Sequence, residues 1–363
     1  MTIELPDRGG CLWWRDGRGI VGRGRSTEVT VGTGPTRARD AWEDLRDVLQ
    51  EGDLAFGSFT FDPMARGSVL FVPEEVERVT EFPTLGSHNG SDRPRFAGAR
   101  IDEVRWMEEV GRTVEALRSE ELDKVVLARD EVLWAKHAFS ERDVALRLAE
   151  AFPGCFTFIC DGLVGASPEL LVRKTGVRIE SEVLAGSAPR GSDPATDTRV
   201  AEKLRSSPKE RDEHALSVGS VVDALERVCH RVVAEAEPHI LRLSNVQHLA
   251  TRVTAELDDP ATSVLELVDL LHPTAAVGGV PRDAALARIR AVEGDLRGRY
   301  AGPVGWIDRD GDGEWAIALR CALVEGDRAR LYAGAGIVKG SLPEKELEET
   351  RLKFRAMEGA LGL

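Results

Sequence analysis

The sequence reads as a mixed protein of helices and strands, and three observations carry that reading. Residues 55–61 and 68–73 alternate like paired strands, and residues 302–308 and 314–321 read as a hairpin. Val218, Val221, Val222, Leu225, Val228 and Val232 follow a helical period, which predicts a long amphipathic helix behind Pro208. The chain has 363 residues. That exceeds the roughly 250–300 at which single cores stop growing, so one large unit or two fused ones are expected.

Composition narrows the function classes. A formal charge of −14 argues against nucleic acid and anionic membranes as partners. An acidic protein that binds an anionic substrate needs local positive charge, from a metal or from selected Arg and Lys. Cys11, Cys155, Cys160, Cys229 and Cys321 form an odd set without paired spacing, as expected for reduced thiols in a cytoplasmic protein. Cys155 and Cys160 lack the spacing of a zinc site. No N-terminal segment resembles a signal peptide, and no run approaches membrane-spanning length.

The elements follow in order. Residues 1–95 read as strand-rich, with strands at 11–14, 28–31, 55–61 and 68–73 and one helix over 38–50. Residues 88–94 form a polar loop with Gly and Pro, the expected linker. A helix then puts Trp106, Val110, Val114 and Leu117 on one face. The strand at 123–129 points Lys124, Val126 and Ala128 to one side. A lysine opening an apolar strand face is unusual, and its ordinary explanation is an amine snorkelling to solvent.

After a helix at 141–151 come strands at 156–159 and 164–173, with Glu169 directly behind Ser167-Pro168. The ordinary reading of Glu169 is an edge-strand charge. Residues 183–191 read as a small-residue turn where backbone can approach a ligand closely. His248 enters a strand, where a satisfied core histidine is the common case. A short helix ends in the loop 270–281, and 282–293 resumes helix. Between the hairpin strands, Asp308, Asp310, Asp312 and Gly313 mimic the start of an EF-hand loop. Leu319 stands where the closing glutamate is needed, so this is a polar turn.

The chemistry concentrates in two stretches. Residues 334–353 read as a strand end, a glycine turn and a helix beginning near Ser341 and Pro343. There Glu346, Glu349 and Lys353 share one face. Ser206, Ser207 and Pro208 likewise start a helix carrying Glu210 and Glu213. Either helix alone reads as a solvated charged face. Four acids meeting at one point, however, would repel each other unless a cation joined them, and Mg²⁺ suits carboxylate oxygens plus a substrate oxygen.

Taken together, residues 124–129, Ser167-Pro168-Glu169, residues 184–187, residues 207–214, residues 271–274 and residues 334–350 resemble the chorismate-utilising enzyme family in order and spacing. The resemblance covers about residues 100–363. It implies an α+β fold, a large and mostly antiparallel β core wrapped by helices. Residues 1–95 would be a strand-rich part of that fold and residues 96–363 the chorismate-binding catalytic region. It also implies one Mg²⁺-dependent site. Glu210, Glu213, Glu346 and Glu349 match the acidic metal region, with Glu213 and Glu349 as direct ligands bridged to the ring carboxylate of chorismate. Arg320, Lys353 and backbone N–H groups around Gly334 and Gly336 would hold the enolpyruvyl carboxylate beside Tyr300. Gly186, Ser187 and His248 complete the substrate-binding set. Lys124 matches the general base that activates water for attack at C2, and Glu169 the acid that protonates the departing C4 hydroxyl.

Within the family, Lys124 argues against an anthranilate synthase, and Ala185 against an aminodeoxychorismate synthase, which carries a lysine nucleophile there. Salicylate synthases share Lys124, Glu169, Tyr300 and Leu319 but tend to carry threonine where Ala276 stands. Residues 271–276 are similar to isochorismate synthases, and Ser187 replaces a frequent threonine. The expected activity is therefore isochorismate synthesis feeding menaquinone or a siderophore. Salicylate synthesis is the alternative, followed by an ammonia-using aminodeoxyisochorismate or anthranilate synthase subunit. A monomer without a glutaminase subunit is expected. A catalytically silent relative is the competing class, and the intact Lys124, Glu169 and acidic helices count against it.

Overall fold

A computed structural model describes residues 9–81, 93–119 and 122–363. The chain begins with β1 (Cys11–Arg15), β2 (Arg18–Arg23), β3 (Thr27–Glu28), α1 (Arg37–Leu45), β4 (Leu54–Ser58), β5 (Val69–Val72), β6 (Glu75–Val79), β7 (Arg95–Gly98) and α2 (Glu103–Arg118). The middle runs through β8 (Lys124–Trp134), α3 (Glu141–Ala151), β9 (Phe156–Cys160), β10 (Leu163–Ser167), β11 (Leu170–Thr175), β12 (Arg178–Pro189), α4 (Pro194–Ser206) and α5 (Pro208–Leu225). Then come β13 (Cys229–Ala234), β14 (His239–Arg242), β15 (Val246–Leu257), α6 (Val264–Leu271), β16 (Gly279–Val280) and α7 (Arg282–Glu293). The chain closes with β17 (Pro303–Asp308), β18 (Gly313–Ile317), β19 (Cys321–Glu325), β20 (Arg328–Ile337) and α8 (Pro343–Leu361).

These strands form two ten-stranded sheets, which makes the fold α+β. The first runs β16-β8-β20-β19-β10-β9-β1-β2-β6, with β7 on β8. The second runs β13-β15-β12-β11-β18-β17-β4-β5-β3, with β14 on β15. Neighbours such as β8 and β20, or β12 and β15, run antiparallel. A shared core holds Trp13, Phe156 and Phe158 of the first sheet with Phe56 and Trp315 of the second. Trp13 Nε1 donates to Glu314 Oε1 at 2.6 Å across the sheets, and Phe59 stacks on Trp315 at 5.1 Å. The strands before residue 95 are distributed over both sheets. No helix among the described residues is long and apolar enough to cross a membrane, and all five cysteines are buried and unpaired.

Two crossovers decide where chemistry can occur. The chain leaves the first sheet after β10 and enters the second at β11, with Pro168-Glu169 between them. It returns from β18 to β19 through Ala318-Leu319-Arg320. The crossovers are laced together: Ser167 Oγ donates to Ile317 O at 2.5 Å, Ile317 N to Glu169 O at 3.1 Å, and Ala166 N to Arg320 O at 3.1 Å. A seam opens there between the sheets, and α5 and α8 close it, packed on β12 and β20.

Several sequence expectations change. The helix over 38–50 ends at Leu45, and the strand expected at 28–31 is the short β3, with Val29 N still donating to Leu70 O of β5 at 2.9 Å. The long helix stops at Leu225 rather than running through Val232. Val232 lies in β13, which pairs with β15, so its apolar side chain serves a sheet. Residues 183–191 are not a turn. They lie in or just beyond β12, which carries a bulge between Ala185 and Ser187 where Gly186 takes φ +76°. Gly334 and Gly336 likewise stand inside β20, paired with Ala128 and Val126 of β8, so the glycine turn falls further along the chain. Residues 88–92 of the expected linker lie outside the described residues.

A buried ion pair fixes the outer edge of β8. Arg297 and Glu293 are each 3% exposed. Arg297 Nε donates to Glu293 Oε2 at 2.7 Å, and its Nη2 reaches Val126 O at 2.7 Å. Glu293 Oε1 accepts from Ala128 N at 2.8 Å. Glu293→Ala would strand the guanidinium in the core and is expected to lower stability by about 3–5 kcal/mol, read from the urea midpoint. A shift below about 1 kcal/mol, the scale of a surface pair, would show that this pair is not the tie described.

Candidate active site

The seam is a cavity, and every residue the sequence assigned to chemistry lines it except Lys124. Glu169, from the outgoing crossover, is 3% exposed. Burial pushes its carboxyl up to about 8, partly offset by the Leu184 N–H that donates to Oε1 at 3.4 Å. At neutral pH Glu169 is therefore predominantly protonated. It is not an edge-strand charge.

Lys124 opens β8 and is fully buried, so it does not snorkel to solvent. It lies behind the wall rather than at the cavity surface. Its Nζ donates to Ser217 Oγ at 3.1 Å and stands 3.1 Å from Oε1 of Glu213, which does line the cavity. Lys124 is also among the charges acting on Glu169, so amine and acid share one electrostatic neighbourhood.

The acids arrive on two helix starts. Ser207 Oγ caps α5 by accepting from Glu210 N, and Pro208 and Pro343 occupy first-turn positions of α5 and α8. Leu342 precedes Pro343 at the cap, while Ser341 Oγ accepts instead from Val338 N at 3.2 Å. Burial, then Glu213, push the Glu210 carboxyl up to about 7. Glu346 is raised by burial, then by Glu349. Carboxylates from different helices thus feel each other across the cavity. Among the described residues no three acidic, His or Cys side chains already stand close enough to hold one ion. A lysine meets each of three carboxylates instead: Lys124 with Glu213 at 3.1 Å, Lys209 with Glu346 at 3.5 Å, and Lys353 with Glu349 at 2.7 Å. An all-oxygen donor set whose members raise one another fits a hard divalent cation.

Across the cavity sits an unbalanced cation. Arg320, on the returning crossover, takes φ +46° and is 6% exposed. Its Nη1 is buried with no hydrogen-bond partner among the described residues. Its Nη2 donates to His248 Nε2 at 2.7 Å. An arginine only donates, so His248 Nε2 accepts and Nδ1 carries the proton. That proton faces Ser187 Oγ at 3.0 Å and Gly186 O at 3.3 Å. Burial, then Arg320, hold His248 well below the usual imidazole range, so it stays neutral. A buried guanidinium with an open donor is suited to an anion.

The backbone adds donors. Val126 N pairs with Gly278 O, Val126 O with Arg297, Ala128 N with Glu293, and Ala128 O with Trp106 Nε1. Those groups all point away from β20. In an antiparallel ladder the residues opposite, Gly336 and Gly334, must then also turn their N–H and C=O groups away from β8. Lys353 Nζ meets Gly334 O there at 2.8 Å. A Cβ at Gly336 would overlap Glu213 Oε1 and lie 3.4 Å from Lys124 Cε, which is why no side chain stands there.

Sequence reasoning missed two wall residues. Tyr332 stacks on Tyr300 with centroids 5.1 Å apart, and both rings line the cavity. These are the only two tyrosines in the chain, and Tyr332 shares a strand face with Gly334, which was an available signal. Lys209 lies within residues 207–214 but was given no role there.

Residues 72–362 match the family model for chorismate-binding enzymes. MenF of Mycobacterium tuberculosis is 40% identical over 325 residues, covering 85% of this chain and 87% of that protein. Isochorismate synthase DhbC of Bacillus subtilis is 37% identical over 339 residues, covering 88% of this chain and 84% of the relative. The crystal structure of DhbC from Bacillus anthracis superposes with a TM-score of 0.89 at 35% identity, covering 97% of this chain and 96% of that one. The crossovers, the two acidic helices and these matches give one answer: the chain belongs to the chorismate-binding enzyme family.

Proposed function

We propose that this chain is a Mg²⁺-dependent isochorismate synthase, converting chorismate to isochorismate by adding water at C2 and losing the C4 hydroxyl. The observation that carries the reading is the buried Glu169 carboxyl in a cavity that also holds a guanidinium with an open donor, with the Lys124 amine directly behind the wall at Glu213. The activity borne in the name of the Bacillus subtilis relative supports it.

Arg320 and the N–H groups of Gly334 and Gly336 would bind the enolpyruvyl carboxylate, and Tyr300 would pack beside it. Glu210, Glu213, Glu346 and Glu349 would hold Mg²⁺, which when bound supplies the positive charge facing the ring carboxylate. Lys124 takes a proton from the incoming water as its oxygen bonds to C2. Both ring double bonds shift, the C4–O bond breaks, and Glu169 gives its proton to the departing hydroxyl. One water enters and one leaves, so the conversion is an isomerisation. Ala276 lines the cavity and offers no hydroxyl, in keeping with a reaction that ends at isochorismate. The enzyme would act as a monomer in the cytoplasm, without a glutaminase subunit.

Purified protein with chorismate and Mg²⁺ should yield an isochorismate peak on chromatography with no pyruvate. Joint accumulation of salicylate and pyruvate would replace this reading with salicylate synthesis. Since the Glu169 carboxyl titrates near 8, its proton is available below that pH and lost above it. The alkaline limb of kcat/KM should therefore fall with a pKa near 8. Glu169→Gln should remove the limb and lower kcat by about 10²–10⁴-fold, and a limb that persists in the variant belongs to another group. Gly336→Ala should push Glu213 off Lys124 and cut kcat/KM by about 100-fold in a protein that still folds, as read by circular dichroism. Equal activity would mean that the methyl is accommodated without moving Glu213.

A further inference from the structure

We propose that Lys124, Lys209 and Lys353 are internal counter-cations of the acidic site, each holding one carboxylate until a divalent cation takes its place. The inference rests on reading the four glutamates as a divalent-cation site.

The lysines are distributed one to an acid: Glu213, Glu346 and Glu349 each have a different partner. They come from three separate elements, β8, α5 and α8; Lys353 and Glu349 are an i,i+4 pair on α8, while Lys124–Glu213 and Lys209–Glu346 join different elements. Lys124 and Glu213 form the most protected pair, with side-chain exposures of 1% and 12%, against 22% and 29% for Lys353 and Glu349. Lys209 is the most exposed of the three amines at 43%, and its contact with Glu346 is the longest at 3.5 Å. A cation that takes Glu213 and Glu349 must break the two closer pairs. Doing so frees the amines of Lys124 and Lys353, the groups assigned to the incoming water and to the substrate. Lys353 keeps Gly334 O at 2.8 Å and Lys124 keeps Ser217 Oγ at 3.1 Å, so each amine retains a neutral anchor after the exchange. Cation binding would therefore release both lysines from their carboxylates together.

The test is calorimetric titration of MgCl₂ into metal-free protein without chorismate. Removing a competing ammonium should tighten Mg²⁺ binding. Lys124→Met and Lys353→Met should do so by about fivefold or more, and Lys209→Met by less. Lys345→Met is the control, since this lysine lies in the adjoining cleft with no carboxylate partner among the described residues, and it should leave the affinity unchanged. Variants that bind Mg²⁺ no better than the native chain overturn the proposal, as does an equal gain from Lys345→Met, which would mark a general field effect. Should Lys124→Met fail to fold, the Lys353 and Lys209 variants still decide. Product analysis separates the two readings. Isochorismate formation with unchanged Mg²⁺ affinities sinks only the counter-cation role, and tightened binding without isochorismate sinks only the activity.

Discussion

The site depends on carboxylates from two helices being held in one cavity against their mutual repulsion. Glu210 and Glu213 ride on α5, Glu346 and Glu349 on α8, and burial and like charge raise Glu210 and Glu346 together. Such an arrangement is unfavourable by itself. It persists because Ser207 caps α5, because Pro208 and Pro343 fix where the two helices begin, and because lysines stand among the acids. The same lysines explain how a chain of net charge −14 can host an anionic substrate: Lys124, Lys209, Lys353 and Arg320 set four cations against Glu210, Glu213, Glu346 and Glu349 at this site.

The sheets supply the geometry. A continuous sheet would offer no room for a ligand, but a strand that changes sheet leaves a gap at the point of exchange. Two such strands exchange side by side, one delivering Glu169 and the other Arg320. Their backbones are bonded to each other, so the acid and the cation keep a fixed spacing. On the facing side, β8 and β20 present a register in which Gly334 and Gly336 turn their backbone groups outward. That register depends on Arg297 and Glu293 capping β8 from behind. A packing feature outside the cavity thus determines which donors face into it.

Much of this was legible in the sequence, and the omissions share a cause. Local signals marked both acidic helices, the lysine at the head of β8 and the hairpin after Gly302, because caps, prolines and alternation act over a few residues. The resemblance to the family supplied the roles. What local signals could not supply was which sheet a strand joins. The nearness of Glu169 to Arg320, the strand character of residues 183–189 and the place of Gly334 inside β20 all follow from pairings between distant segments. The same limit explains the helix drawn too far: Val228 and Val232 fit a helical period, yet β15 offers residues from 229 onward a strand partner. Tyr332 was hidden because an aromatic residue in a strand ordinarily signals core.

The acid and the amine can coexist because their surroundings differ within one cavity. Glu169 lies at the seam, where its carboxyl has a long backbone hydrogen bond at 3.4 Å and, among the described residues, no ion-pair partner. Desolvation therefore dominates, and the proton stays on. Lys124 sits a layer deeper, with a hydroxyl and a carboxylate at 3.1 Å each. Had Arg320 pointed at Glu169 rather than at His248, the carboxyl would have been held ionised and unable to protonate a leaving group. His248 prevents this by accepting from Nη2, which leaves the buried Nη1 as the open donor among the described residues. A neutral histidine thereby keeps the strongest cation of the cavity away from its acid.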